Sequence, residues 1–385
     1  MNSLESLSSS RVLTAQLRHD LGLKLIMLTG ARQAGKTTLA RQLMDDFESA
    51  QYLNWDVPAD RVLITQSAWS PKSRLVIFDE IHKMRNWKAF LKGAWDGRST
   101  GQAMLVTGSA RMDTFRQGGE SLAGRYFSRR LHPFSVRELM EVQGVTALQA
   151  LARLIDRGGF PEPCLAARAV DADRWRTQYA TDLVREDVMD FSRVHEVRSL
   201  QLLFEMLRVR VGSPLKLSNL AQALNISPTT VTRYVEILEA LYIVFRVQPW
   251  HRDVSRSLLK EPKIYFLDTG LVKGDEGIKL ENAVAAMLLK HCHQRQDAEG
   301  KQVTLHTIRD KERNEIDFLL AEGNTVTDLI EVKLTDPVPS AFLHRMAERF
   351  ESANAVQLVA SLRNAAQHGR VEVTHADGWL ATLAA

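Results

Sequence analysis

The feature that most constrains the fold of this chain is a glycine-rich loop between a short apolar run and a segment of helical spacing. Residues 24–29 (KLIMLT) form the apolar run, which has the pattern of a buried parallel strand. The loop follows at once as GARQAGKTT over residues 30–38, and residues 39–44 continue with helical periodicity. Glycines let a backbone curl so that its N–H groups converge, and a helix N-terminus attracts negative charge. Strand, loop and helix in this order therefore predict a phosphate-binding site.

The loop supplies a distinct group for each part of a nucleotide. Lys36 can bridge β- and γ-phosphates, and the Thr37 hydroxyl can bind Mg²⁺. We therefore predict ATP and Mg²⁺ as cofactors. The residues predicted to contact the nucleotide are Gly30, Ala31, Arg32, Gln33, Ala34, Gly35, Lys36, Thr37 and Thr38.

A second apolar run, residues 74–78, ends in two carboxylates, Asp79 and Glu80. An Asp at the carboxyl end of such a strand can complete the Mg²⁺ shell, and the next Glu can orient and activate the attacking water. This arrangement predicts hydrolysis of ATP and not only binding.

Two further residues near this predicted site each have two interpretations. Ser109 follows the strand pattern of residues 104–108 and can contact the γ-phosphate or the water, or cap the next helix. Arg125 precedes the strand-like residues 126–131 and can reach a neighbour's γ-phosphate as a finger acting in trans, or form a structural salt bridge. Arg129 and Arg130 are its close rivals. Since a trans-acting finger needs a neighbouring subunit, we expect a homo-oligomeric ring, with a hexamer favoured.

Several motifs in order along the chain carry a resemblance to a known family. They are GARQAGKTT (30–38), FDEIHK (78–83), TGSA (107–110), SLAGR (121–125), PFSVRE (133–138), GGFPEP (158–163) and FLDTGL (266–271). The set resembles bacterial and archaeal AAA+ ATPases of the AAA_14/DUF4143 type. The resemblance implies an α/β fold with a P-loop AAA+ parallel sheet and a helical lid over the nucleotide. One departure is that no lid arginine clearly matches the second sensor of AAA+ proteins.

A helix-turn-helix pattern follows the helical region. Residues 218–225 form a short helix that ends near Asn225, and Ser227 can cap a second helix that begins at Pro228. Residues 241–247 can supply the first strand of a wing, which predicts a winged-helix domain. The second helix has one apolar face, consisting of Val231, Val235 and Leu238, and leaves Thr229, Thr230 and Arg233 outward.

The charge of this region favours an anionic partner. Residues 193–260 contain ten Lys and Arg against five Asp and Glu, although the whole chain has a net charge of only +4. DNA contact through Thr229, Thr230 and Arg233 is the functional interpretation. Packing or oligomerisation by the same domain is the alternative.

The last region places carboxylates and a lysine at the spacing of a metal-dependent nuclease. A helix with Glu281 precedes three strand patterns, the second containing Asp317 and the third containing Glu331-Val-Lys333. This order resembles the PD-(D/E)xK nuclease core. Asp317, Glu331 and Glu281 are the predicted metal ligands, and Lys333 can stabilise the charge of the transition state. A solvated edge strand, or a nuclease fold kept for DNA binding or assembly without cleavage, remain alternatives.

The sequence thus predicts four segments and a cytoplasmic protein. They are an AAA+ ATPase core (1–134), a helical lid (135–195), a winged helix-turn-helix (196–262) and a C-terminal α/β nuclease-like domain (263–385). Two cysteines exclude a disulfide framework, and we find no secretion signal and no apolar run of membrane length. The leading hypothesis is an ATP-driven motor that remodels DNA, branched or junction DNA included. A nucleotide-dependent signalling or defence switch and a protein-remodelling ATPase are the alternatives.

Overall fold

The computed structural model describes residues 11–108, 122–182, 197–251 and 261–385. Their contacts divide the chain into two compact units. The first runs to Pro133 and includes Ala240–Tyr242, and the second consists of Phe134–Glu239 and Ile243–Ala385. No helix in the part of the chain that the structure describes combines the length and hydrophobicity that crossing a bilayer requires.

The first unit is built around a five-stranded sheet in which every pair of neighbouring strands is parallel. The strand order is β2-β3-β4-β1-β5. Its elements are α1 (Leu13–Leu21), β1 (Leu25–Gly30), α2 (Lys36–Gln42), β2 (Ala50–Asn54), α3 (Pro58–Thr65), β3 (Leu75–Asp79), α4 (Trp87–Asp96), β4 (Ala103–Thr107) and β5 (Tyr126–Leu131).

Helices cover both faces of this sheet, which explains why the three central strands, β1, β3 and β4, are continuous apolar runs. Alternate residues of a strand point to opposite faces. Leu25 and Met27 of β1 pack in one core with Leu91 of α4, whereas Ile26 and Leu28 pack in another with α1 and α2. The result is a three-layer unit in which β1, β3 and β4 end at the same edge.

The second unit begins with helices. They are α5 (Val136–Gln143), α6 (Ala147–Arg157), α7 (Pro161–Leu165), α8 (Ala169–Asp182), α9 (Val197–Arg208), α10 (Leu217–Leu224) and α11 (Pro228–Ala240). Two of these helices, α5 and α6, begin with a complete capping box. Ser135 forms the box of α5 with Glu138, and Thr146 forms that of α6 with Gln149.

An eight-stranded mixed sheet forms the rest of the second unit. Its strand order is β12-β13-β11-β10-β9-β8-β6-β7. The elements are β6 (Val244–Pro249), β7 (Lys263–Phe266), α12 (Glu276–Glu299), β8 (Val303–Arg309), β9 (Glu315–Glu322), β10 (Thr325–Lys333), α13 (Ala341–Arg349), β11 (Asn354–Val359), β12 (Ala366–His368), β13 (Val371–His375) and α14 (Ala376–Ala381).

The strand predicted as the first wing strand belongs to this large sheet. β6 pairs antiparallel with β7, and its last residues, Gln248 and Pro249, pair in parallel with His306 and Thr307 of β8. The predicted domain boundary at 262/263 therefore lies between two strands that pair with each other.

Contacts distant in sequence join the helices expected to form the lid to the rest of the second unit. Ser135 Oγ of the α5 cap donates to the Ala385 carbonyl at 2.8 Å. Glu138 forms a buried ion pair with Lys290 of α12. These bonds attach α5 to the rest of the second unit.

Candidate active site

The loop between β1 and α2 takes the curled path that its glycines predict. Gly30 and Gly35 have φ of 136° and 96°, in the region that favours glycine, and Gln33 also has a positive φ of 63°. A Cβ atom at Gly30 would collide with the Leu131 carbonyl oxygen of β5. Glycine is therefore required at this position by both conformation and space.

Lys36 lies inside the curl that this loop forms. Its Nζ donates to the carbonyl oxygens of Gly30, at 3.0 Å, and Ala31, at 2.7 Å. The side chain is buried, so its charge is held where phosphates of a nucleotide would lie.

Thr37 and Asp79, the two predicted Mg²⁺ ligands of this site, are in direct contact. Thr37 Oγ1 donates to Asp79 Oδ2 at 2.9 Å. Asp79 also accepts from the Tyr52 and Thr107 hydroxyls. Thr107 of β4 is in register with Asp79, and Tyr52 lies two residues before Asn54, the residue of β2 in register with Asp79. Carboxylate and hydroxyl oxygens suit Mg²⁺, which usually takes one or two protein ligands, so these residues fit the ion.

Tyr52 is a member of this network that sequence reasoning missed. Burial, and then the hydrogen bond to Asp79, raise the pKa of the Tyr52 phenol to about 12. The phenol therefore stays protonated and acts as a donor to Asp79. Nothing in the local sequence of β2 points to this role, because it depends on β2 pairing with β3.

Glu80, the predicted base, follows β3 in a left-handed conformation with φ of 57°. Its carboxylate lies 3.3 Å from Lys83 Nζ and 3.7 Å from His82 Nε2, and Lys83 also pairs with Asp56. The side chain is partly exposed, so water can reach it.

Arg125 lies at the amino-terminal end of the parallel strands, away from the nucleotide loop at their carboxyl end. It precedes β5, whose first residue, Tyr126, is opposite Leu25, whereas Gly30 is opposite Leu131. Six strand residues, roughly 20 Å, therefore separate it from its own loop. The guanidinium forms two bonds to Asp96, of 2.9 and 3.0 Å, so the salt bridge expected as the alternative is present.

The other finger candidates differ in position. Arg129 is buried and pairs with buried Asp20, with 2.6 Å between Nη2 and Oδ2, which gives it a structural role. Arg130, the other candidate, is the next residue of β5. Ser109 lies outside the described residues.

The helix-turn-helix residues take the predicted places. Asn225, with φ of 54°, follows the last residue of α10, Leu224, and Ser227 Oγ accepts from Thr230 N at 3.0 Å at the start of α11. The burial of the apolar face is confirmed for Val231, Val235 and Leu238. Thr229 and Arg233 are exposed, whereas Thr230 is half-buried with its hydroxyl 2.8 Å from Ser227 Oγ.

The C-terminal carboxylates are arranged around a lysine that the sequence analysis did not single out. Lys263 Nζ lies 3.2 Å from Glu281 Oε1 and 3.8 Å from Asp317 Oδ1, and it contacts Glu315. The Tyr265 hydroxyl donates to Glu281 Oε1 at 2.6 Å. We call Lys263, Tyr265, Glu281, Glu315 and Asp317 the lysine-carboxylate cluster.

Glu331 has other partners. Its Oε1 lies 2.9 Å from Lys333 Nζ, and its Oε2 accepts from Ser340 Oγ, the cap of α13, at 2.8 Å. Asp317 Oδ2 accepts from the Val332 N–H at 2.8 Å. Among the described residues no three His, Cys, Asp or Glu side chains form a group that could hold a metal ion. Asp317 and Glu281 both lie near Lys263, whereas Glu331 is bonded to Lys333 and Ser340, so each of the three predicted ligands has a partner within the chain.

Charge and burial set the protonation of this cluster. Burial, reinforced by the negative charge of Glu281, raises the pKa of Asp317 to about 7. Burial lowers the pKa of Lys263, but the charges of Glu281, Asp317 and Glu315 outweigh that effect and the pKa ends above its usual value. Lys263 is therefore a cation at neutral pH.

Two of the motifs from the sequence meet around Asp268. This carboxylate is fully buried and accepts from the backbone N–H groups of Gly159 and Phe160. Gly158, with φ of 81°, lies so close to the Asp268 carboxylate that a Cβ atom on it would collide with that carboxylate. Burial raises the pKa of Asp268 to about 6, against the lowering effect of these donors. GGFPEP and FLDTGL thus form a structural clamp within the second unit.

Three family models match separate parts of the chain. Residues 23–140 match an AAA domain, which includes the loop, Asp79 and Glu80. Residues 148–279 match a domain of unknown function, DUF8612, and residues 276–377 match another, DUF4143.

Two curated relatives are similar over part of their length. The uncharacterized proteins Rv2008c of Mycobacterium tuberculosis and Mb2031c of Mycobacterium bovis are each 30% identical to this chain over 256 residues. The match covers 64% of this chain and 55% of each relative, so the chain spans about half the length of the curated relatives it matches.

A solved structure is also similar, at a low level. The Walker-type ATPase PABY2304 of Pyrococcus abyssi is 16% identical with a TM-score of 0.42, covering 60% of this chain and 89% of that one. A TM-score this low supports no inference by itself. The loop geometry, the contact between Thr37 and Asp79, and the match over residues 23–140 agree with one another: the first unit carries an AAA-type P-loop domain.

Proposed function

We propose that this chain hydrolyses ATP with Mg²⁺ and uses the reaction to remodel DNA as a homo-oligomer. One observation carries the ATPase part: Thr37 Oγ1 and Asp79 Oδ2 lie 2.9 Å apart, next to a loop whose lysine is already held inside it. Two motifs 42 residues apart thus supply one oxygen-rich ion site beside one phosphate site.

Each residue of the site has a separate task. When bound, Mg²⁺ offsets the negative charge that the phosphates develop. Lys36 exchanges its bonds to the Gly30 and Ala31 carbonyls for bonds to phosphate oxygens, so its charge moves little on binding. Glu80 orients the attacking water and accepts its proton.

The DNA part rests on exposed polar and basic groups of the second unit. Thr229 and Arg233 project from the first turns of α11, where a recognition helix contacts bases. A second basic surface is a groove of about 470 Å³ lined by Pro214, Lys216, Glu261, Arg309 and Arg313. Three cations against one carboxylate suit a phosphate backbone.

The oligomeric part rests on Arg125. Arg125 lies at the end of the sheet away from its own nucleotide loop. It can therefore assist hydrolysis only of a nucleotide bound to a neighbouring subunit. In such an assembly the guanidinium would exchange Asp96 for a γ-phosphate. A ring, with a hexamer favoured, remains our proposal for its form.

ATPase rates with single-stranded, duplex, forked and four-way-junction DNA test the proposal. We expect at least one DNA to accelerate turnover, and Arg233→Ala to reduce that acceleration. Arg363→Ala, which removes an exposed arginine outside the helix-turn-helix, is the matched control. Turnover that no DNA changes but a protein partner stimulates would favour a protein-remodelling ATPase. A single slow turnover with trapped nucleotide would favour a switch.

A further inference from the structure

We infer that Lys263 takes the place of a divalent metal ion in the lysine-carboxylate cluster, so that this centre is neutralised by the chain itself and does not cleave DNA by metal-dependent chemistry. The inference concerns the second unit and is independent of ATP hydrolysis in the first. It decides between two of the interpretations that the sequence left open, cleavage and retention of the fold without cleavage.

The position of the ammonium group is the first argument. Lys263 Nζ contacts Glu315 and lies 3.2 Å from Glu281 Oε1 and 3.8 Å from Asp317 Oδ1. It therefore occupies the point on which oxygens from a helix and a strand converge. A Mg²⁺ ion sits about 2.0 Å from its oxygen ligands, so an ion at this point would overlap the lysine nitrogen.

The confinement of the lysine is the second argument. Its residue is only 4% exposed. Its backbone is held on both sides, because Lys263 pairs with Val247 of β6 and forms a bridge with Pro214. A buried ammonium is stable only when it is paired, and removal of one partner from a buried ion pair is strongly destabilising. The lysine and its carboxylates therefore depend on one another.

The remaining oxygens are the third argument. Tyr265 donates to Glu281, and the Val332 N–H donates to Asp317. Glu331 is shared between Lys333 and the α13 cap Ser340. Each carboxylate that a nuclease would use for its metal thus has a donor from the chain, and metal binding would break several of these bonds at once.

Manganese titration of a lysine variant tests this inference. Free Mn²⁺ is measured by electron paramagnetic resonance without nucleotide, in an Asp79→Asn background that removes the ATP-site carboxylate. We expect no saturable Mn²⁺ site in the second unit with Lys263 present, and one added site per chain with Lys263→Met. Methionine keeps the length of the side chain and removes its charge. Adding Asp317→Asn should remove the gained site.

A measurement on the unaltered chain covers the case in which Lys263→Met fails to fold. Fe²⁺ with ascorbate and peroxide cuts a backbone where the ion is bound. We expect no specific cut around residues 315–333 of the wild type. Specific cuts there would overturn the inference, as would a folded Lys263→Met variant that gains no Mn²⁺ site. Metal-dependent cutting of linear, forked or junction DNA that Lys333→Ala abolishes would also overturn it.

Discussion

Asp268→Asn should change how the stability of the second unit depends on pH. Asp268 is buried against the Gly159 and Phe160 amides, and its pKa is raised from 3.8 to about 6. Below about pH 4 the carboxyl is neutral in folded and unfolded chains alike. Between about pH 4 and 6 the unfolded chain releases the proton first, so stability from this group is lost as the pH rises through the folded-state pKa.

The raised pKa corresponds to about 3 kcal/mol of free energy of unfolding. Most of this change falls between pH 4 and 7. Asparagine does not titrate, so the free energy of unfolding of Asp268→Asn minus that of the wild type should increase by about 2–3 kcal/mol over this range. At any one pH, the difference in free energy of unfolding between Asp268→Asn and the wild type also reflects weaker hydrogen bonds from the Gly159 and Phe160 amides to the neutral asparagine. This contribution does not depend on pH, so it cancels when the differences at several pH values are compared.

Urea unfolding of the whole 385-residue chain at pH 4, 5, 6 and 7 measures this difference. Glu372→Gln, an exposed carboxyl on β13 of the same unit, is the matched control and should show no comparable trend. A difference in free energy of unfolding between Asp268→Asn and the wild type that stays constant from pH 4 to 7 would show that Asp268 ionises as an ordinary carboxyl. It would contradict the raised pKa.

The nucleotide site gives three further predictions. Lys36→Ala should abolish tight ATP binding, whereas Glu80→Gln should bind ATP and trap it; wild-type turnover by Glu80→Gln would show that Glu80 is not the base. Arg125→Ala should bind ATP normally and, mixed with Lys36→Ala protomers, recover part of the lost turnover; full turnover by Arg125→Ala alone would remove it from the mechanism and favour Arg130. Tyr52→Phe should weaken the apparent affinity for Mg²⁺ in the ATPase assay about threefold to tenfold, since the Asp79 carboxylate loses the hydrogen bond, worth about 1 kcal/mol, that holds it in position beside Thr37; an unchanged Mg²⁺ dependence would contradict this positioning role.

Features that depend on neighbouring residues in the sequence were predictable. The glycine loop, the turn at Asn225 and the buried face of Val231, Val235 and Leu238 each follow from local conformational preference or helical periodicity. The position of Asp79 was predictable for the same reason, because an apolar run ends there.

Features that depend on distant pairing were not predictable in this way. Lys263 reaches Glu281 only because β7 and α12 pack together in the second unit, and Asp268 meets Gly159 across 109 residues. The alternation of Lys263 and Tyr265 places both on one face of a strand, which was a usable clue to a polar centre. Their partners remained unknown because a strand's face does not identify what packs against it.

The pairing of β6 with both β7 and β8 limits how the second unit can be divided. β6 leads directly from α11 into the sheet that carries Asp317 and Glu331, and β7 carries Lys263. A fragment ending at residue 262 would contain β6 without its partner strands β7 and β8. The complementary fragment would begin with β7, which would have lost its partner strand β6. The helix-turn-helix is thus not an exchangeable module: recombination or truncation at its apparent border would yield two aggregation-prone halves.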